Sequence, residues 1–159
     1  MKSNFPSIPL RNRGGYLKFD FIPYYDILSF PAIINNTVKR NQILLHAGKS
    51  WYQGYATNQT LQFNDSPEKT NNGTYFILKV AGLVPGDKPE LTNLLFEMES
   101  THFVVRLTDT RGKIKIIGSP TFPLEFKANF NSGDQRNSGK GYAIEFFGNA
   151  LHRALEEVL

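Results

Sequence analysis

HFVVRLTDTRGKIKIIGSPTFPLEFKANF, residues 102–130, is the stretch whose reading decides the fold. Its first part reads as a β-hairpin. Residues 102–108 and 113–118 are short runs rich in Val and Ile, and they flank Asp109-Thr110-Arg111-Gly112, a glycine-containing loop of hairpin length. In its last part Leu124, Phe126, Ala128 and Phe130 alternate with Glu125, Lys127 and Asn129, the period-2 pattern of a strand with one dry and one wet face. Strands of this kind need a sheet, so the neighbouring sequence is expected to supply more of them.

It does so on both sides. Leu17, Phe19 and Phe21 alternate with Lys18 and Asp20 until Pro23 ends the run. Residues 43–45, 50–55, 60–63 and 74–80 also read as strands, whereas residues 24–40, broken by Pro31 and Asn35-Asn36, read as irregular with one short strand. The segment NDSPEKTNNG, residues 64–73, reads as a polar loop closed by the tight-turn pair Asn72-Gly73. Downstream, residues 131–140 form a second polar loop, and Tyr142, Ile144 and Phe146 mark a last strand.

Two helices interrupt this pattern. Over residues 88–99, Leu91, Leu94, Leu95 and Met98 fall on one face, Pro89 suits the first turn, and Asp87 can cap it. From Asn149 onward the spacing of Leu151, Leu155 and Val158 or Leu159 reads as a short C-terminal helix. The expected fold is therefore mainly β: a β-sandwich or partly closed barrel with one flanking α-helix at about 88–99 and a short C-terminal helix. Residues 1–15, with Pro6, Pro9 and Gly14-Gly15, read as an extended basic N-terminal arm, and residues 16–159 as a single β-rich domain.

Composition narrows the function classes. The chain of 159 residues has no cysteine, which removes disulfides and thiolate metal sites, and its start lacks the apolar core of a signal peptide. The expectation is a soluble protein made in the cytoplasm. Charge is uneven: residues 1–49 carry a balance of +5 and the remainder −1, so the basic arm suits an acidic partner surface, the plain alternative being a solvated leader.

No motif for chemistry survives its context. Ala47-Gly48-Lys49-Ser50 resembles the end of a phosphate-binding loop, but Ile43 stands where its first glycine belongs and Trp51-Tyr52 reads as strand instead of helix. His46, His102 and His152 show no short metal-ligand spacing. Glu125 and Glu145 could face each other as a glycosidase pair does, yet their alternation with apolar residues marks the wet face of a sheet. Arg106, Lys113 and Lys115 could share a basic hairpin face, which gives the alternative reading of an OB-like single-stranded nucleic-acid-binding module. No enzyme activity and no cofactor are expected.

Several segments resemble small tail-module proteins of phages and prophages of Bacteroidetes bacteria. They are Tyr16-Leu17-Lys18-Phe19-Asp20-Phe21-Ile22-Pro23, Gly48-Lys49-Ser50-Trp51-Tyr52, Leu83-Val84-Pro85-Gly86-Asp87, Pro123-Leu124-Glu125-Phe126 and Gly141-Tyr142-Ala143-Ile144-Glu145-Phe146. Arg111-Gly112 leading to Ile117-Gly118-Ser119-Pro120, and Ser132-Gly133, belong to the same likeness, which spans about residues 16–150. The resemblance implies β-sandwiches or barrels with one flanking helix, whose loops and arms reach neighbouring subunits. It implies a non-enzymatic structural component of a phage tail that assembles in rings or a tube, a tail tube subunit ahead of a tail terminator, adaptor or baseplate part. Its partners would be copies of itself and other tail proteins, with transient contact to DNA, no membrane and no small-molecule substrate, and its place the virion tail. Residues expected at assembly contacts are Arg11 and Arg13 of the arm, with Asp65, Glu68, Asp134 and Arg136 in the two polar loops.

Overall fold

The computed structural model describes residues 14–133 and 139–159. The arm up to residue 13, with Arg11 and Arg13, lies outside the described residues, as do Asp134 and Arg136. The chain runs β1 (Tyr16–Pro23), β2 (Ile27–Ser29), β3 (Thr37–Lys39), β4 (Leu44–Leu45), β5 (Tyr52–Gln53), β6 (Gln62–Thr70) and β7 (Gly73–Pro85). Helix α1 (Pro89–Met98) follows, then β8 (Phe103–Asp109), β9 (Ile114–Ile117), β10 (Glu125–Asn131), β11 (Gly141–Ala150) and β12 (Leu155–Val158).

Strand alternation explains how these elements stack. A six-stranded sheet has the order β3-β12-β9-β8-β1-β5, and a four-stranded sheet the order β10-β11-β7-β6. Phe19, Phe21, Phe103, Val105, Leu107 and Ile117 of the first meet Leu78, Val80, Phe126, Ile144 and Phe146 of the second in one buried cluster. Burying each of these side chains contributes roughly 1.5–3 kcal/mol. The rings meet edge to face: Phe146 lies 5.8 Å from Phe103 and 5.9 Å from Phe19. The packing is sandwich-like. The two sheets touch through backbone pairing at one corner, where Phe103 and Leu124 exchange hydrogen bonds of 2.8 and 2.7 Å, and no closed barrel forms among the described residues.

The six-stranded sheet is covered on its other face too. Ile22, Val104, Ile116 and Leu155 point away from the shared core and pack with Ile27 and Val38, and with the half-buried Phe30, Ile43, Leu45 and Trp51. Residues 24–51 outside β3, including the β2-β4 pair, thus form a cover. Beneath it lies a charged group of residues from four separate segments. Arg106 on β8 stands opposite Asp20 on β1 in the register, its guanidinium 3.5 Å from the Asp20 carboxylate and 3.6 Å from Glu157. Arg40 reaches the same Glu157 at 3.0 Å, and the Arg106 Cζ lies over the Trp51 ring, 4.7 Å from its centroid. Buried charges are tolerated only when paired in this way.

Three expectations are corrected. The C-terminal segment is not a helix: Asn149 and Ala150 extend β11, and β12 inserts between β9 and β3, parallel to β3. Leu151 is exposed, while Leu155 and Glu157 point to the buried side, because remote partners satisfy both residues. Residues 64–73 are not a loop: β6 pairs with β7 from Gln62↔Ala81 to Thr70↔Gly73, so the turn holds Asn71 and Asn72. Their side chains meet water on both sides, which removes the alternation that marks a strand. In α1, Lys88 takes the cap position without a side-chain bond, and Asp87 pairs with Lys140 at 2.9 Å. Leu95 and Met98 are buried, but Leu94 is 48% exposed.

Two measurements check this packing. Glu157→Ala leaves Arg106 short of one buried partner and should lower the unfolding free energy by about 3 kcal/mol in urea titration. Leu95→Asp should cost at least about 3 kcal/mol, whereas Leu94→Asp should stay within about 1 kcal/mol of the parent.

Candidate interaction surfaces

Two surfaces stand out, and each follows from how its strands end. The first is the far part of the β6-β7 hairpin. β11 supports β7 only as far as Phe76, which pairs with Ala150, so the hairpin beyond that point is a two-stranded ribbon. Residues 66–74 are all exposed. Its root is held firmly: Arg153 bonds the Asp65 carboxylate and lies over the Phe76 ring at 4.7 Å. Burial pushes the Tyr16 hydroxyl above its ordinary value of 10.0, and the Asp109 and Asp65 carboxylates push it further.

The second is a groove beside α1. β5 is a two-residue edge strand, held to β1 by Asp20↔Gln53 and Phe21↔Tyr52. At Gly54 a Cβ would fall 2.0 Å from the Phe19 ring, so the absence of a side chain is what lets the segment lie this close. Helix α1 closes the core with Leu95 and Met98 but stands off from β5. The gap is a cleft of about 310 Å³ lined by Phe21, Pro23, Tyr25, Tyr52, Leu94 and Met98. It shares Phe21, Leu94 and Met98 with a second hollow of about 200 Å³ that reaches Tyr55 and Leu91. Tyr52 stacks on Phe21 at 5.7 Å, yet Tyr25, Tyr52 and Tyr55 remain 50–67% exposed.

The expected assembly residues distribute unevenly over these surfaces. Asp65 is engaged by Arg153 at the ribbon root, so its charge is already matched within the chain. Glu68 lies on the exposed ribbon, opposite Tyr75. The groove escaped the sequence reading because its walls come from residues 21–25, 52–55 and 91–98, each with a different local pattern. The tyrosines at 24–25, 52 and 55 were the available sign.

Several of the residues considered for chemistry have partners within the chain. Lys49 of the loop-like motif lies 3.6 Å from buried Asp26. Glu145 sits between Lys79 at 3.2 Å and Lys127 at 3.6 Å on the wet face of the four-stranded sheet. His102 and Glu125 approach to 3.8 Å with both side chains about half exposed, a weak surface pair. His152 instead meets Ser119 at 3.3 Å. Arg106 does not share an open basic face with Lys113 and Lys115, since it is packed under Trp51, and Lys113 pairs with Glu156 at 3.6 Å. Among the described residues no group of three metal-ligating side chains converges, and no helix is long and apolar enough to cross a membrane. No protein-family model, curated protein or solved structure matches the chain.

Tyr16, at the start of β1, gives a test of its own burial. The folded chain holds the Tyr16 proton more tightly than the unfolded chain, so this stabilisation is whole below pH 10 and is lost as pH rises through the raised value. From about pH 9 to about pH 11 the parent should lose more stability than Tyr16→Phe, which cannot ionise, in parallel urea titrations.

Proposed function

We propose that the chain is a non-enzymatic structural subunit that assembles with copies of itself, as a ring or tube component of a phage tail. The observation that carries assembly is the β6-β7 ribbon. Two strands without a sheet or core are marginal in water, and this pair presents nine consecutive exposed residues at 66–74 on a firmly held root. A surface of a neighbouring subunit would supply the missing support. The groove beside α1 offers a second surface of different character, and a ring of identical subunits needs two unlike surfaces that meet head to tail. Placement in a phage tail, with a tube subunit ahead of a terminator, adaptor or baseplate part, is supported by the sequence segments around Tyr16, Trp51, Pro85, Leu124 and Gly141. The virion tail is the corresponding location.

Sedimentation velocity and negative-stain electron microscopy of the purified chain test this. The expected result is concentration-dependent rings or stacked tubes. Replacing residues 69–74 by Asn-Gly, which closes the hairpin at Glu68 and Tyr75, should leave the melting temperature unchanged and abolish assembly. A parent chain that stays monomeric at every concentration would overturn the reading.

A further inference from the structure

We infer that the groove beside α1 receives the N-terminal segment, residues 1–13, of a second copy of the chain. The second copy as the source of the segment rests on the assembly reading above. The segment lies outside the described residues, and its sequence matches the groove in three respects.

The first is side-chain chemistry. Asn4-Phe5-Pro6-Ser7-Ile8-Pro9-Leu10 sets three large apolar residues among two prolines. Proline fixes its own backbone angle and pushes the preceding residue toward extended geometry, so little order has to be imposed on binding. Aromatic-lined grooves receive such segments because flat rings pack against proline while hydroxyls at the rim bond the open backbone. Tyr25 and Tyr52 present such rings over a floor of Phe21 and Met98.

The second is length. The helical wall of the groove, Leu91 to Met98, is about 10 Å long at helical rise, and the lining continues past the helix end to Thr101. Five steps of extended proline-type backbone from Phe5 to Leu10 span about 16 Å. The third is charge. Lys2, Arg11 and Arg13 flank the apolar run; Glu97 lines the groove, and Glu90 falls on the same i, i+4, i+7 ridge of the helix through Leu94. Asp87 and Glu99 are occupied elsewhere, by Lys140 and by the Ala128 amide, so Glu90 and Glu97 are the acids placed for the incoming segment.

Mixing two full-length variants tests the inference. One carries Phe5→Asp and Ile8→Asp in the segment. The other carries Leu94→Lys in the groove, an exposed position where the fold should survive while the cation repels Arg11 and Arg13; Tyr52→Ser is the second groove variant. Each variant alone should self-associate at least tenfold more weakly than the parent in sedimentation, and an equal mixture should regain affinity, because one intact segment then meets one intact groove. Variants that assemble like a parent that itself assembles would overturn this inference and leave the assembly reading standing. So would a mixture that gains nothing, which would mean that the segment lies on its own chain or elsewhere. A monomeric parent would overturn both.

Discussion

Arg106 sits in the middle of a strand that is buried on both faces, and much of the rest of the fold is arranged around that constraint. β8 packs Phe103, Val105 and Leu107 against the four-stranded sheet and Val104 under the 24–51 cover. A cation in such a strand cannot reach bulk water freely, and leaving it unpaired would cost several kcal/mol. Asp20 from the neighbouring strand, Glu157 from the C-terminal strand and the Trp51 ring from the cover all converge on it. Arg40 then balances the second charge of the group through Glu157. One partly buried cation thereby ties β1, β8, β12 and the cover into a single register, since a one-residue slip in any of these strands would turn its charged residue into the opposite, apolar face.

That arrangement also leaves the unmatched surfaces of the described residues at the margins of the fold. The interior is occupied by packed rings and by paired charges, and Glu145 is engaged by Lys79 and Lys127 of the neighbouring strands. The ribbon continues past the end of the sheet that supports its root, and the groove opens where a two-residue edge strand stops short of α1. Among the described residues both features lack partners for backbone or apolar surface. These are the properties of surfaces that recognise another molecule of defined shape, and the Tyr-lined groove adds the preference for an extended, proline-containing segment.

Much of the central fold was legible in the sequence. β1, β8, β9, β10 and most of β11 were readable because each has at least one face in a core, which imposes alternation or a run of β-branched residues. Helix α1 was readable from its leucine spacing, although the spacing marked Leu94 as core when the helix is rotated to leave it at the groove. The ribbon was misread as a loop because hydrophobic patterning reports burial, and a strand wet on both sides has none to report. Of the assembly residues expected, Glu68 lies on a free surface, whereas Asp65 is bound to Arg153, a pairing across 88 positions that no local pattern could reveal.

The sequence by itself determined the mainly β class, the hairpin at Asp109–Gly112, the existence of one internal helix and the tight turn before Gly73. These depend on interactions within a few residues: backbone preference, alternation and turn chemistry. Only the tertiary structure decided that the C-terminal segment is a strand, that the six-stranded sheet is covered on both faces, and that three dispersed segments enclose an aromatic groove. Leu155 and Glu157 are equally compatible with helix and strand in isolation. Ile116, Val38 and Arg40, up to 117 positions away, select the strand by burying the leucine and matching the charge.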